Sequence, residues 1–263
     1  MIHFLSLSLL LGFELTYYLL IVQTGIVAHY NSDIIILFPM FFGGVIGTFL
    51  SGKSWFTIDN PIYKIIIALL LQLSLSFLYP NFNAVTLFLL GLSVGFMAPL
   101  GIYLFKDKQV KELLFALAIA YTVGTYLFTS DADSRVWIAV GSTSIALFSA
   151  IVLKGYKVDL DTKNISHTFI SYSPLILWIL LDSNLFESIS RHDDIDIWSH
   201  YTYTIIIFHL LGLYVSYFIK THINKQHILI AILFTVSYIV SYIESAQLLA
   251  IVYPFTISYY NVI

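Results

Sequence analysis

Between Trp178 and His192 the chain reads W-I-L-L-D-S-N-L-F-E-S-I-S-R-H, an apolar helix that takes on Asp182, Asn184 and Glu187 before leaving through Arg191 and His192. One Asp near the centre of a bilayer costs about 2.5–3.5 kcal/mol on insertion scales, so carboxyl groups there need a partner or a role. Two other titratable side chains sit near the middle of apolar runs, Glu14 in the first and His209 in the eighth. Such groups can take up and release protons as their access to water alternates. Tyr17 and Tyr18 follow Glu14 at i+3 and i+4, where their hydroxyls are spaced to hydrogen-bond its carboxyl group. Glu14, Asp182, His209, Asn184, Tyr17 and Tyr18 are therefore the expected proton-coupling or substrate-cavity residues. For Glu14 and His209 the competing role is a structural hydrogen bond to a neighbouring helix.

Glu187 and Arg191 are a separate matter. Glu before a basic residue at i, i+4 is the favourable order for a helix pair, so an outer salt bridge or gate is expected there. Asp193, Asp194 and Asp196 follow and read as a solvated loop, with no metal site assigned. Glu187-x-x-x-Arg191 and Phe218-x-x-x-His222 resemble elements of the CAAX-type intramembrane proteases. The topology below puts them at opposite membrane faces, roughly 30 Å apart. A base and a metal ligand must share a site, so the chain is not expected to be an enzyme.

The elements that must position these residues are apolar helices. The 263 residues are 59% hydrophobic and only 10% charged, against about 25% charged in a soluble domain. Runs of this length and composition read as an all-α polytopic transmembrane bundle embedded in lipid. With no cysteine there is no disulfide framework or thiolate chemistry. Lys and Arg form no basic arm, which argues against nucleic acid as a partner, and no cofactor motif stands out. The start lacks a basic n-region and a small-residue cleavage site, and Glu14 interrupts it, so it reads as a retained first helix rather than a signal peptide.

About ten spans can be drawn, over 2–23, 34–50, 62–79, 84–105, 110–129, 135–153, 168–190, 196–219, 227–243 and 246–263. Of the 12 Lys and Arg residues, only Arg135 and Arg191 fall in the odd-numbered connections. Positive charge marks the cytoplasmic side, which places both termini in the cytoplasm and the protein in the cytoplasmic (inner) membrane. The charged stretch 154–167 reads as a cytoplasmic linker between a six-helix bundle, 1–153, and a four-helix bundle, 168–263. Gly43, Gly44 and Gly47, the pair Gly91 and Gly95, and Ala116, Ala120 and Gly124 are spaced for close helix packing. Tyr17, Tyr18, Tyr63, Tyr79, Tyr201, Tyr203, Tyr214 and Tyr217 read mostly as interfacial anchors.

This architecture resembles the major facilitator superfamily. The cytoplasmic N-terminus, the six-helix first half, the charged central linker and the carboxyl groups on spans one and seven carry the resemblance. In the family's fold those two spans are equivalent and face a central cavity, so the resemblance implies that Glu14 and Asp182 are counterparts. It implies alternating-access transport of a small solute, coupled to protons. Gly47-Thr-Phe-Leu-Ser51-Gly52-Lys53 stands where the family has its cytoplasmic motif, with Ser51 in the Asp position. Ten spans instead of twelve imply a short or truncated member. The alternatives are a non-catalytic accessory subunit of a membrane complex and a five-plus-five drug/metabolite-type permease.

Overall fold

The computed structural model describes residues 2–30, 33–51, 60–105, 110–155, 177–178, 180–186, 188–189, 197–219 and 223–262. The described residues form helices and turns, with no strand among them. Two compact units divide the chain, Met1–Asp159 and Leu160–Ile263. The first holds α1 (Ile2–His29), α2 (Ile34–Ser51), α3 (Pro61–Ser76), α4 (Ala84–Phe105), α5 (Val110–Tyr126) and α6 (Ala132–Val152). The second holds α7, described at 177–178, 180–186 and 188–189, then α8 (Thr202–Phe218), α9 (Ile223–Tyr242) and α10 (Ala246–Tyr260).

Five of these segments are long and apolar enough to cross a bilayer: Ile2–His29, Ile34–Ser51, Ala84–Gly101, Ala132–Gly155 and Lys225–Tyr242. Pro61–Ser76 and Thr202–Phe218 are apolar but shorter. The helices mark a membrane protein.

The first helix runs past its expected end at 23. From Tyr18 to Ile26 it is wound as a π-helix, and it continues to His29. A π-turn leaves carbonyls out of the regular ladder, and side chains take them up here. Thr24 Oγ1 donates to the Leu19 carbonyl at 2.7 Å and to that of Leu20 at 3.3 Å. Arg135 Nη1 donates to the Leu20 carbonyl at 2.9 Å and to Thr24 Oγ1 at 3.3 Å. The rest of its guanidinium donates to the carbonyls of Phe128 (2.8 Å) and Ser130 (3.2 Å). Arg135, expected only as an outer-loop charge, thus ties α6 to the π-helical stretch of α1. Gly25 is required beside it, because a Cβ there would lie 2.8 Å from both the Leu20 carbonyl oxygen and the Tyr79 hydroxyl.

The glycine spacing of α2 and α4 does what it predicts, whereas a Cβ on Gly124 of α5 would meet only the Leu19 side chain, at 3.8 Å. α2 and α4 form the most extensive helix contact in the first unit. A Cβ on Gly43 or Gly47 would fall on the backbone of α4, and one on Gly91 or Gly95 on the backbone of α2. Thr48 Oγ1 reaches the Gly95 carbonyl across this seam at 3.2 Å. Ala116 and Ala120 of α5 are buried, and a Cβ added to Gly12 of α1 would lie 2.9 Å from the Ala116 carbonyl oxygen. In lipid, where apolar surface alone gives no drive to associate, such backbone approach supplies the packing.

The other extensive contacts of this unit are α1 with α5, α1 with α6, α3 with α4, and α3 with α6. Exchanging α1 with α4, α2 with α5 and α3 with α6 leaves the whole set unchanged. The second unit repeats part of it. Its most extensive contact is α8 with α10, followed by α9 with α10, the counterparts of α2 with α4 and α3 with α4.

The register of burial repeats as well. Leu10, Tyr17 and Ile21 of α1 are buried, and at a constant separation along the chain so are Trp178, Leu185 and Ile189 of α7. At a second constant separation, Ile65, Leu69, Gln72 and Leu75 of α3 match Ile230, Phe234, Ser237 and Val240 of α9. Gly212 of α8 also faces backbone, meeting the Phe255 carbonyl oxygen of α10 at 2.6 Å from a built Cβ.

Candidate functional site

Many of the buried apolar side chains described in the first unit fall into two clusters. One holds Leu7 and Leu10 of α1, Ile65 and Leu69 of α3, Met97 of α4 and Ala146 of α6. The other holds Tyr17 and Leu20 of α1, Leu75 of α3, Leu90 of α4 and Ala139 of α6. On each helix, buried polar residues lie between the two: Glu14, Gln72, Ser93, and the pair Ser142 and Thr143. The helices thus share a layer of buried polar residues between the clusters, in which Glu14 is the one carboxyl group; buried hydroxyls such as Ser8 and Ser76 also occur within the clusters themselves.

Glu14 is 8% exposed and Gln72 is fully buried. Gln72 Nε2 donates to Glu14 Oε2 at 3.0 Å. The other amide atom, Gln72 Oε1, is buried with no hydrogen-bond partner, and so is Thr143 Oγ1. Ser93 is satisfied within its own helix by the Leu90 carbonyl.

The tyrosines differ from expectation. Tyr17 Oη takes a hydrogen bond from Ser76 Oγ at 3.5 Å, and Glu14 takes its own from Gln72. Tyr17 is wholly buried and Tyr79 nearly so, which corrects their reading as interfacial anchors. Their positions near span ends suggested the interface, but α1 continues beyond Tyr17, and Tyr79 packs under the π-helical stretch. Tyr18 is 42% exposed and stays on the outside of the bundle.

In the second unit three polar contacts reach α10. Tyr253 Oη donates to Asp182 Oδ1 at 3.4 Å. Thr256 Oγ1 and Ser237 Oγ of α9 are 3.0 Å apart. Ser258 Oγ and His209 Nδ1 are 2.6 Å apart, with the histidine buried. Asn184 Nδ2 donates to Tyr238 Oη at 3.0 Å, and that hydroxyl donates in turn to the Leu181 carbonyl at 2.8 Å. His209 and Asp182 are therefore held by different side chains of α10. The histidine contact joins α8 to α10.

Glu187 and Arg191, the expected salt bridge or gate, lie outside the described residues. So do the acidic residues Asp193, Asp194 and Asp196, His222, and the expected linker from residue 156 onwards. Among the described residues no group of three His, Cys, Asp or Glu side chains is placed to hold a metal ion.

Gln72 was not singled out from sequence, although the signal was present. It is the one amide in the run I-I-I-A-L-L-L-Q-L-S-L-S of α3. Tyr253 had no such mark, being one of 19 tyrosines.

No family model, curated protein or solved structure matches this chain.

Proposed function

We propose that the protein is a secondary active transporter of the major facilitator type, moving a small solute across the cytoplasmic membrane by alternating access with proton coupling. Its partners are the lipid bilayer, the solute and H+, and both termini face the cytoplasm.

The observation that carries this reading is the equivalence of Glu14 and Asp182. Each lies between buried positions that repeat from α1 to α7, one held by an amide from α3 and the other by a hydroxyl from α10. Transporters built from repeats bind substrate and coupling ions at such midplane positions. Intramembrane carboxyl groups mark ion and proton pathways.

The helix contacts support the same reading. The exchange of α1–α3 with α4–α6 is the relation expected of inverted repeats within a bundle, and that of α1–α4 with α7–α10 the relation of parallel ones. A five-plus-five scheme would match α8 with α10 to α3 with α5, which is not an extensive contact among the described residues.

Reconstitution in liposomes with an imposed pH gradient tests the proposal. Solute uptake driven by the gradient should be lost in Glu14→Gln and in Asp182→Asn. Unchanged gradient-driven uptake in both folded variants would remove the coupling role.

A further inference from the structure

We propose that Gln72 is the positioning residue for a proton on Glu14, the two side chains closing into a cyclic acid–amide pair when the carboxyl group is protonated. The proposal rests on the transport reading and deepens it, because it names the side chain that holds the coupling proton in place on Glu14.

The geometry leaves one bond unmade. Gln72 already donates from Nε2 to Glu14 Oε2 at 3.0 Å. Its carbonyl oxygen, on the same planar amide, is buried with no partner. A buried acceptor left unsatisfied costs about 1–3 kcal/mol. An ionised carboxylate offers only acceptors and cannot satisfy it. A protonated carboxyl group can, because its O–H donates to Oε1 while its other oxygen keeps the bond from Nε2. Protonation thus turns one hydrogen bond and an orphan into two hydrogen bonds. The proton arrives from water and returns to it, and no other bond is made or broken.

The surroundings leave few competing donors or charges. Leu10, Leu69 and Met97 pack on one side of the layer, and Tyr17, Leu75 and Leu90 on the other. On α1 the next titratable groups are Tyr17, whose hydroxyl contacts Ser76, Tyr18, which is partly exposed, and the distant His3. On α3 they are Tyr63 and Lys64, Lys64 Nζ donating to the Ser51 carbonyl. On α5 they are Lys111, Glu112, Tyr121 and Tyr126, and on α6 Asp133 and Arg135. Arg135 is engaged at Leu20, six residues and about 9 Å of helix rise beyond Glu14. Thr143 Oγ1, also buried without a hydrogen-bond partner, is an alternative donor in the layer.

Infrared difference spectroscopy of the purified full-length protein, stepped between acid and alkaline pH, reads this pair without any transported solute. Isotope labelling of glutamine marks the side-chain carbonyl. In wild type, acidification should bring up a carboxylic acid band at the position of a hydrogen-bond-donating acid, and shift a labelled Gln carbonyl band with it. Gln72→Leu should move the acid band to higher frequency, the position of an unpaired acid. Glu14→Gln, which closes an amide–amide pair of the same shape, should fix the Gln72 band and remove its pH response. Thr143→Val should leave both bands in place.

A Gln band that ignores pH in wild type would overturn the proposal. So would bands that respond to sodium instead of protons, or a Thr143→Val change that abolishes the shift. A protein that shows the paired bands but accumulates no solute in liposomes would contradict the transport reading and leave the pair standing.

Discussion

Glu14 of α1 and Gln72 of α3 meet at 3.0 Å although 58 residues separate them in the chain. The contact joins the two helices at the level between the two apolar clusters. Its loss should be felt differently by different substitutions. Glu14→Gln keeps an amide–amide pair and should melt close to wild type. Glu14→Leu strands both polar ends of Gln72 and should lower stability by about 1–3 kcal/mol. Thermal unfolding of the two variants in detergent makes the comparison.

The seam between α2 and α4 gives a test with its own control. A Cβ on Gly91 would fall on the Met40 carbonyl oxygen, and helix backbones cannot move aside as a flexible side chain can. Gly44, one turn from Gly47 on α2, would place its Cβ 3.7 Å from the Gly91 carbonyl oxygen, an ordinary contact. Gly91→Ala should destabilise the protein by about 1–3 kcal/mol, the usual range for overpacking. Gly44→Ala should be neutral or slightly stabilising, since Ala favours helix over Gly. Equal melting of the two variants would contradict the close approach.

Arg135 holds carbonyls on both sides of it, those of Leu20, Phe128 and Ser130. Hydrogen bonds from a charged donor contribute about 1.5–3 kcal/mol each, and a buried carbonyl left bare adds a penalty. Arg135→Ala should therefore destabilise the first unit by several kcal/mol. Arg135→Lys should recover only part of this, because an ammonium on a flexible stem cannot reproduce a planar fork. Hydrogen exchange should locate the loss at the amides of 18–26.

His209 and Ser258 form one contact, 2.6 Å long and buried. His209→Ala and Ser258→Ala should each lower stability, and the double variant should fall short of their sum by at least about 0.5 kcal/mol. Because the histidine is a tie between α8 and α10, Ser258→Ala should keep the proton dependence of uptake.

Much of the helix layout was legible because lipid imposes it. A backbone that must satisfy its own hydrogen bonds in hydrocarbon reads as long apolar runs, and the runs begin close to where the helices do. The glycines of α2 and α4 were legible for the same reason, their spacing being a property of one helix at a time. What escaped the sequence was pairing between helices. Tyr17 and Tyr18 were the local choice for Glu14, being one turn away, yet the carboxyl group points across to α3. The end of α1, expected at 23, was misplaced because the support for its last turns comes from residues that pair across space. The Thr24 hydroxyl and Arg135, 111 residues later, support a further stretch of helix. Neither residue announces this in its own neighbourhood.

The account's central claim, proton coupling through Glu14 and Asp182, is tested most directly by pH-jump currents on a solid-supported membrane. Proteoliposomes containing the full chain are exposed to a sudden change in external pH, with no solute present. Wild type should displace charge as Glu14 and Asp182 bind or release protons, and Glu14→Gln combined with Asp182→Asn should reduce the signal to that of empty liposomes. A wild-type trace identical to empty liposomes, or a double variant that displaces as much charge as wild type, would contradict the account.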